Sequence, residues 1–263
     1  MGDITEIDYN EPKFKKLRNF NGVMGVIHAI QGILMLALSN DFSLPIQTNF
    51  LKFDTVTETI SPVTQTIVEI PVGPAIALFL FVTAFAHISV ATYGYKWYVR
   101  KVSSGINPAR WYEYAFTSSL MIVILSMLTG IFDIAALLAI AAANASMNLF
   151  GLVMELHNQR TEKTDWTSFI FGSFAGAIPW VIIIIYFFGA ILVNTDTIPT
   201  FVYVLIIVLL VFWCTFPINM ILQYKKVGRW KDYLYGERGY IILSLVSKSA
   251  LAWIIWGGTL RGS

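Results

Sequence analysis

At 263 residues, 56% of them hydrophobic and only 13% charged, with mean hydropathy +0.66, the chain is too apolar for a soluble domain, which carries about 25% charged residues. Its length fits a single domain, residues 1–263. The net charge of +2 comes from basic residues confined to connections, so no nucleic-acid face is expected. The one cysteine, Cys214, excludes an intrachain disulfide and leaves no Cys/His spacing for a metal.

In chain order, Lys13, Lys15, Lys16 and Arg18 precede an apolar run over 20–38. Ala37 and Ser39 near its end imitate a cleavage site, but 19 residues exceed the roughly 7–15 of a signal-peptide core. The run is read as a retained first helix. A bilayer-spanning helix needs about 20 mostly apolar residues, and six further segments qualify: 74–95, 111–130, 134–156, 168–193, 200–222 and 240–260. The expected fold is therefore an all-α membrane bundle of seven transmembrane helices. Asn107-Pro108 reads as an N-cap followed by proline at the first helical position of the third span. Asp133 is placed to cap the fourth, and Thr197–Pro199 precedes the sixth.

The connection over 39–73 is the long one. Two runs in it, 47–54 and 62–70, partly alternate polar and apolar residues, as strands do. A short β-hairpin between helices 1 and 2 is expected. Two strands alone are marginal, so it packs either on a dimer partner or over its own bundle.

Lys and Arg in the connections set the orientation. The N-terminal tail, 96–110, 157–167 and 223–239 hold 15 of them, against Lys52 and Arg261 on the other side. The remaining one is Lys248, inside a span. The N-terminus and basic connections are expected in the cytoplasm, with the hairpin and C-terminus extracellular, in a multi-pass protein of the cell membrane.

Ionisable groups at membrane depth are costly and usually functional. Those within spans are His28, His87, Glu113 and Lys248, with Glu155 near a cytoplasmic end. At about 1.5 Å per residue, all four fall in one layer on the cytoplasmic half. A Lys248–Glu113 ion pair that merely ties two helices together seldom offsets its desolvation. A desolvated amine is also more readily neutral, which suits covalent attachment of an aldehyde, and Glu113 would balance the resulting positive charge. Chromophore attachment and a transporter ion-pair site both remain open on these residues alone. Each histidine by itself reads as an interior hydrogen-bonding residue; two beside a carboxylate also fit proton transfer.

Arg110-Trp111-Tyr112-Glu113-Tyr114 in helix three, Trp213-Cys214-Thr215-Phe216-Pro217 in helix six and Lys248 mid-helix seven resemble the microbial rhodopsins. Within them the chain is most similar to the heliorhodopsins, which share the cytoplasmic N-terminus and the long outside loop after helix one. That resemblance implies all-trans retinal bound covalently to Lys248 as a Schiff base, with Glu113 as its single counterion. It further implies Thr117, where the family usually has serine, and Ser244 beside these groups. Trp111, Tyr114, Asn144, Trp213, Phe216, Pro217 and Trp253 are implied around the chromophore, His28 and His87 as sites of proton relocation, and Glu155 as the acid ending helix four. Outward pumps in the superfamily carry a second carboxylate where this chain has Ser244 and a donor acid where it has Ile124.

The expected function is a non-enzymatic, light-sensing photoreceptor that relocates a proton without net ion pumping. Its expected partners are retinal, the lipid bilayer, a second copy in a homodimer and a cytoplasmic signalling protein. A light-gated channel or proton transporter would need polar residues through the outer half. A retinal-free transporter would use Lys248–Glu113 for substrate, although seven spans do not suit inverted repeats.

Overall fold

The computed structural model describes residues 7–193 and 198–261. Seven helices in it are long and apolar enough to cross a membrane. In chain order the elements are α1 (Pro12–Leu38), strands β1 (Ser43–Asp54) and β2 (Thr59–Pro71), α2 (Val72–Ala91), α3 (Tyr95–Ser103), α4 (Pro108–Leu128), α5 (Ile134–His157), α6 (Thr167–Val193), α7 (Thr200–Tyr224) and α8 (Tyr233–Ile255). A π-helical turn, Trp256–Leu260, continues α8.

All but α3 are the expected spans, though several begin earlier than hydropathy indicates. The first starts at Pro12 rather than 20, and the last at Tyr233 rather than 240. Those extra turns are amphipathic: Phe14, Leu17, Leu234 and Glu237 are buried, while the intervening charges dilute the apolar signal. The helix starts agree with the capping cues. Asn107 Oδ1 accepts from Arg110 N at 3.2 Å, and Asp133 Oδ1 accepts from Ala135 N and Ala136 N at 3.0 and 3.1 Å. Pro199 precedes α7 directly, while Thr197 lies outside the described residues. The second span ends at Ala91, short of 95, and the basic stretch after it, expected as plain connection, contains a helix. In α3 the period places Tyr98, Val99 and Val102 inward, with Lys96, Arg100 and Lys101 on the outer side.

The hairpin is longer than expected. Its antiparallel register runs from Ser43↔Pro71 to Asp54↔Thr59, with an irregularity at Ile46/Gln47. Its base is tied to its own bundle: Gln47 N donates to Phe132 O at 2.8 Å, and Asn40 N to Leu260 O at 3.1 Å. The outer part stands free, with Leu51 74% and Val56 90% exposed.

The helices pack in the order α6, α5, α4, α2, α1, α8, α7. Where α6 faces α7, large side chains span the space: Trp180 lies 6.2 Å from Trp213 and Phe187 5.0 Å from Tyr203, ring centre to ring centre. Toward the hairpin end the core is apolar, built on Ile76, Phe79, Leu80, Leu125, Leu251 and Ile255. The buried charged residues Arg110, Glu155, Glu237 and Lys248 all lie on the opposite, basic half. That division of polarity places the site.

Candidate functional site

α8 carries Lys248 into the middle of the bundle, where its side chain is 3% exposed. The ammonium nitrogen donates to Ser244 Oγ, one helical turn back, at 2.7 Å, and lies 3.2 Å from Glu113 Oε1 on α4. The same carboxylate oxygen accepts from Thr117 Oγ1, one turn onward, at 2.8 Å and from Thr83 Oγ1 on α2 at 2.5 Å. A buried charge pair is tolerable only when such hydrogen bonds satisfy what remains. Thr83 escaped sequence reasoning, although it precedes His87 by one helical turn and so shares its face. The Lys248 nitrogen also sits 5.0 Å from the Tyr114 ring centre.

On one side of this pair, Lys248 reaches a cavity of about 170 Å³ that runs between α4, α5, α6 and α7. Trp111, Tyr114, Asn144, Trp213, Phe216 and Pro217, all expected around a chromophore, line it. So do Trp180, Met147 and Tyr240, which sequence reasoning did not single out because apolar side chains on a lipid-soluble helix carry no signal of facing inward. Two glycines make room. A Cβ at Gly151 would meet the Trp111 ring at 2.4 Å, and one at Gly176 would meet Met147 Sδ at 2.2 Å. Asn144 Nδ2 donates to Ser118 Oγ and Ser119 Oγ at 2.7 and 3.1 Å. Trp253 lies elsewhere: its indole donates to Gln31 Oε1 on α1 at 3.1 Å, and it is absent from the lining.

On the other side stand the two histidines. Their rings are parallel, 5.8 Å between centres. His28 is fully buried and neither ring nitrogen has a hydrogen-bond partner. His87 Nδ1 is 2.7 Å from Asn21 Oδ1. His87 and Glu113 share a small cavity of about 30 Å³ that reaches Arg110 and Glu237, room enough for a water molecule.

Beyond it, toward the basic end, lies a cluster that hydropathy did not reveal. Arg110 bridges two carboxylates, pairing with Glu155 Oε1 through Nη2 at 2.5 Å and with Glu237 through Nη1. All three side chains are at most 4% exposed. Glu155 also accepts from Trp111 Nε1 at 2.7 Å and Asn107 N at 2.8 Å, and Glu237 from Asn107 Nδ2 at 2.7 Å. Arg110 falls among the connecting basic residues by sequence, and Glu237 carries no signal there, because both stand outside the hydropathy windows.

An amine lining an aromatic-walled cavity suits an apolar aldehyde chromophore, with a carboxylate at hand to balance charge. The heliorhodopsin family model matches residues 17–260. Solved structures of the same fold include a rhodopsin of Exiguobacterium sibiricum, at 15% identity and TM-score 0.58, covering 93% of this chain and 94% of that one. They also include the transmembrane domain of the rhodopsin phosphodiesterase of Salpingoeca rosetta, at 13% identity and TM-score 0.58, covering 93% and 83%. A third is a cyanorhodopsin from a Tolypothrix species, at 15% identity and TM-score 0.54, covering 93% of each chain. No curated protein sequence matches. Matched along nearly its whole length, and holding its lysine in a rhodopsin-like helical frame, this chain belongs to the heliorhodopsin family of retinal-binding membrane proteins.

Proposed function

We propose that the protein is a non-enzymatic photoreceptor that holds all-trans retinal covalently on Lys248 and moves a proton within the bundle without net ion transport. The observation that carries this reading is the position of Lys248, lining the aromatic cavity with its amine 3.2 Å from Glu113. Attached through its aldehyde carbon as a protonated Schiff base, retinal supplies visible absorption and a light-driven change of shape from all-trans to 13-cis. The chain's own residues do the rest.

Glu113 is the counterion, its Oε1 held toward Lys248 by Thr83 and Thr117. Ser244 accepts from the nitrogen and fixes its direction. Trp111, Tyr114, Trp213 and Phe216 form rigid walls against which a polyene turns, and Pro217 interrupts the α7 ladder beside them. Trp253 acts at a distance, anchoring α8 to α1 through Gln31.

A proton leaving the Lys248 nitrogen enters the layer of Glu113, His28 and His87. Transport needs an acceptor and a donor on opposite sides of that nitrogen. Ser244 and Ile124 occupy the positions where a second acid and a donor acid would stand, and the hairpin half is packed with aliphatic and aromatic side chains. The proton therefore returns by the way it left. The distribution of basic residues, 15 against 2, supports a cytoplasmic N-terminus and an extracellular hairpin. A homodimer and a cytoplasmic partner complete the reading, the free outer part of the hairpin serving the first and the basic face the second.

Lys248→Ala, purified and mixed with all-trans retinal, is expected to give no visible band, whereas the wild-type protein colours. A visible pigment from the alanine variant would reject the attachment.

A further inference from the structure

Between the histidine layer and the basic end runs an unbroken series of hydrogen bonds, none of which the proposed photochemistry uses. His87 Nδ1 meets Asn21 Oδ1 at 2.7 Å. Asn21 Nδ2 donates to Tyr98 OH at 3.4 Å, and Tyr98 OH donates to Glu237 Oε1 at 3.1 Å. Arg110 joins Glu237 to Glu155, and Tyr233 OH donates to Glu155 Oε1 at 3.0 Å. Tyr233 in turn lines a surface cavity of about 290 Å³ with Gln159, Lys226 and Lys231. The series draws on five helices, α1, α2, α3, α4 and α8, and on the end of α5.

Its polarity is set at one point. Asn21 Nδ2 also donates to the Leu17 carbonyl at 3.0 Å, and a carbonyl can only accept, so the amide cannot be turned round. Asn21 Oδ1 therefore faces His87, and His87 Nδ1 must carry the hydrogen. Every link then donates in the same sense, from His87 toward Glu237. The amide also insulates. Its nitrogen has no lone pair free to take a proton, so a proton arriving at His87 stops there. What passes is polarisation. A positive charge gained at His87 turns its bond to Asn21 into a charge-assisted one. The bonds beyond strengthen in turn, as aligned hydrogen bonds do in a low dielectric. Tyr98 then competes with Arg110 for Glu237.

We infer that the chain His87–Asn21–Tyr98–Glu237–Arg110–Glu155–Tyr233 carries charge displacement at the Lys248 layer to the basic-end surface cavity as a change in hydrogen bonding, with Tyr98 as the positioning residue that joins its halves. This rests on the reading of Lys248 as the retinal site.

Infrared difference spectra, light minus dark, of the retinal-loaded protein in membranes test it. In the wild type a carboxylate band that Glu237→Gln removes should appear on illumination. Tyr98→Phe keeps the ring and deletes only the hydroxyl link; it should lose that band while the polyene bands of retinal remain. Asn21→Leu, which cuts the chain one link earlier, should do the same. If Glu237→Gln does not fold, glutamate ¹³C-labelled at the side-chain carboxyl identifies the band in wild type and Tyr98→Phe alike, Glu113 being common to both. A Glu237 band that survives both cuts, or that never appears in the wild type while retinal bands do, overturns the inference. Loss of the retinal bands from the wild type would instead overturn the reading beneath it.

Discussion

One oxygen of Glu113 takes three partners: the Lys248 ammonium and the hydroxyls of Thr83 and Thr117. Concentrating negative charge at that oxygen localises positive charge on the nitrogen opposite. Glu113→Gln removes the negative charge, so the visible band of the retinal-loaded protein is expected at longer wavelength; an unshifted spectrum would reject Glu113 as counterion. At Arg110 the effect is on stability. Arg110→Ala leaves two buried carboxylates facing each other, and losing one partner of a buried pair costs about 3–5 kcal/mol. A clear drop in thermal midpoint is expected. Of these groups Lys248, Glu113, His28 and His87 were legible in the sequence, because a charge or imidazole inside an apolar window is conspicuous. Arg110 and Glu237 were not. They stand where the helices emerge from those windows, and only the convergence of α4, α5 and α8 buries them.

At the scale of elements, α5 begins on the Asp133 cap, and replacing that side chain with alanine should cost about 1 kcal/mol, measurable by thermal unfolding of Asp133→Ala. α5 meets α4 where Gly151 lies under the Trp111 ring, with 2.4 Å between that ring and an added Cβ. Gly151→Ala should displace Trp111, destabilise the protein by about 1–3 kcal/mol through overpacking, and slow pigment formation with added retinal. An unchanged rate would mean that Trp111 does not border the bound chromophore. The seven spans were legible because hydropathy needs only composition. α3 was hidden in a basic stretch, since a nine-residue helix with one apolar face carries little signal by window averaging. The Trp253 side chain was misdirected for a related reason: position along α8 says nothing of which neighbour a side chain turns toward.

Across the whole molecule, polarity is divided along the bundle axis. The buried charges occupy the basic half, and the hairpin half is filled by aliphatic and aromatic side chains. Among the described residues, the buried polar groups of that second half, such as Gln31, Ser126 and Thr129, are uncharged. An ion crossing it would therefore shed its hydration with no opposite charge to replace it. Sealed vesicles containing the retinal-loaded protein are thus expected to show no sustained light-driven pH change, with or without a protonophore. A protonophore-sensitive gradient would reject the non-pumping reading. This division was partly visible beforehand, because the four ionisable groups within the spans all fall in one layer on the cytoplasmic half.

The hairpin has a practical consequence. Its base is anchored through Asn40 and Gln47 on the side of β1, whereas its turn is held by local bonds: Asp54 Oδ1 accepts from Val56 N and Thr57 N at 2.8 and 3.1 Å, and Glu58 takes a φ of 53°. Exposed tips held this way accept inserted sequence. An epitope placed between Thr57 and Glu58 should leave the pigment's colour untouched and stain unpermeabilised cells with an antibody, while the same epitope ahead of Pro12 should stain only after permeabilisation. The turn thus doubles as a built-in reporter of which way the bundle is threaded through its membrane.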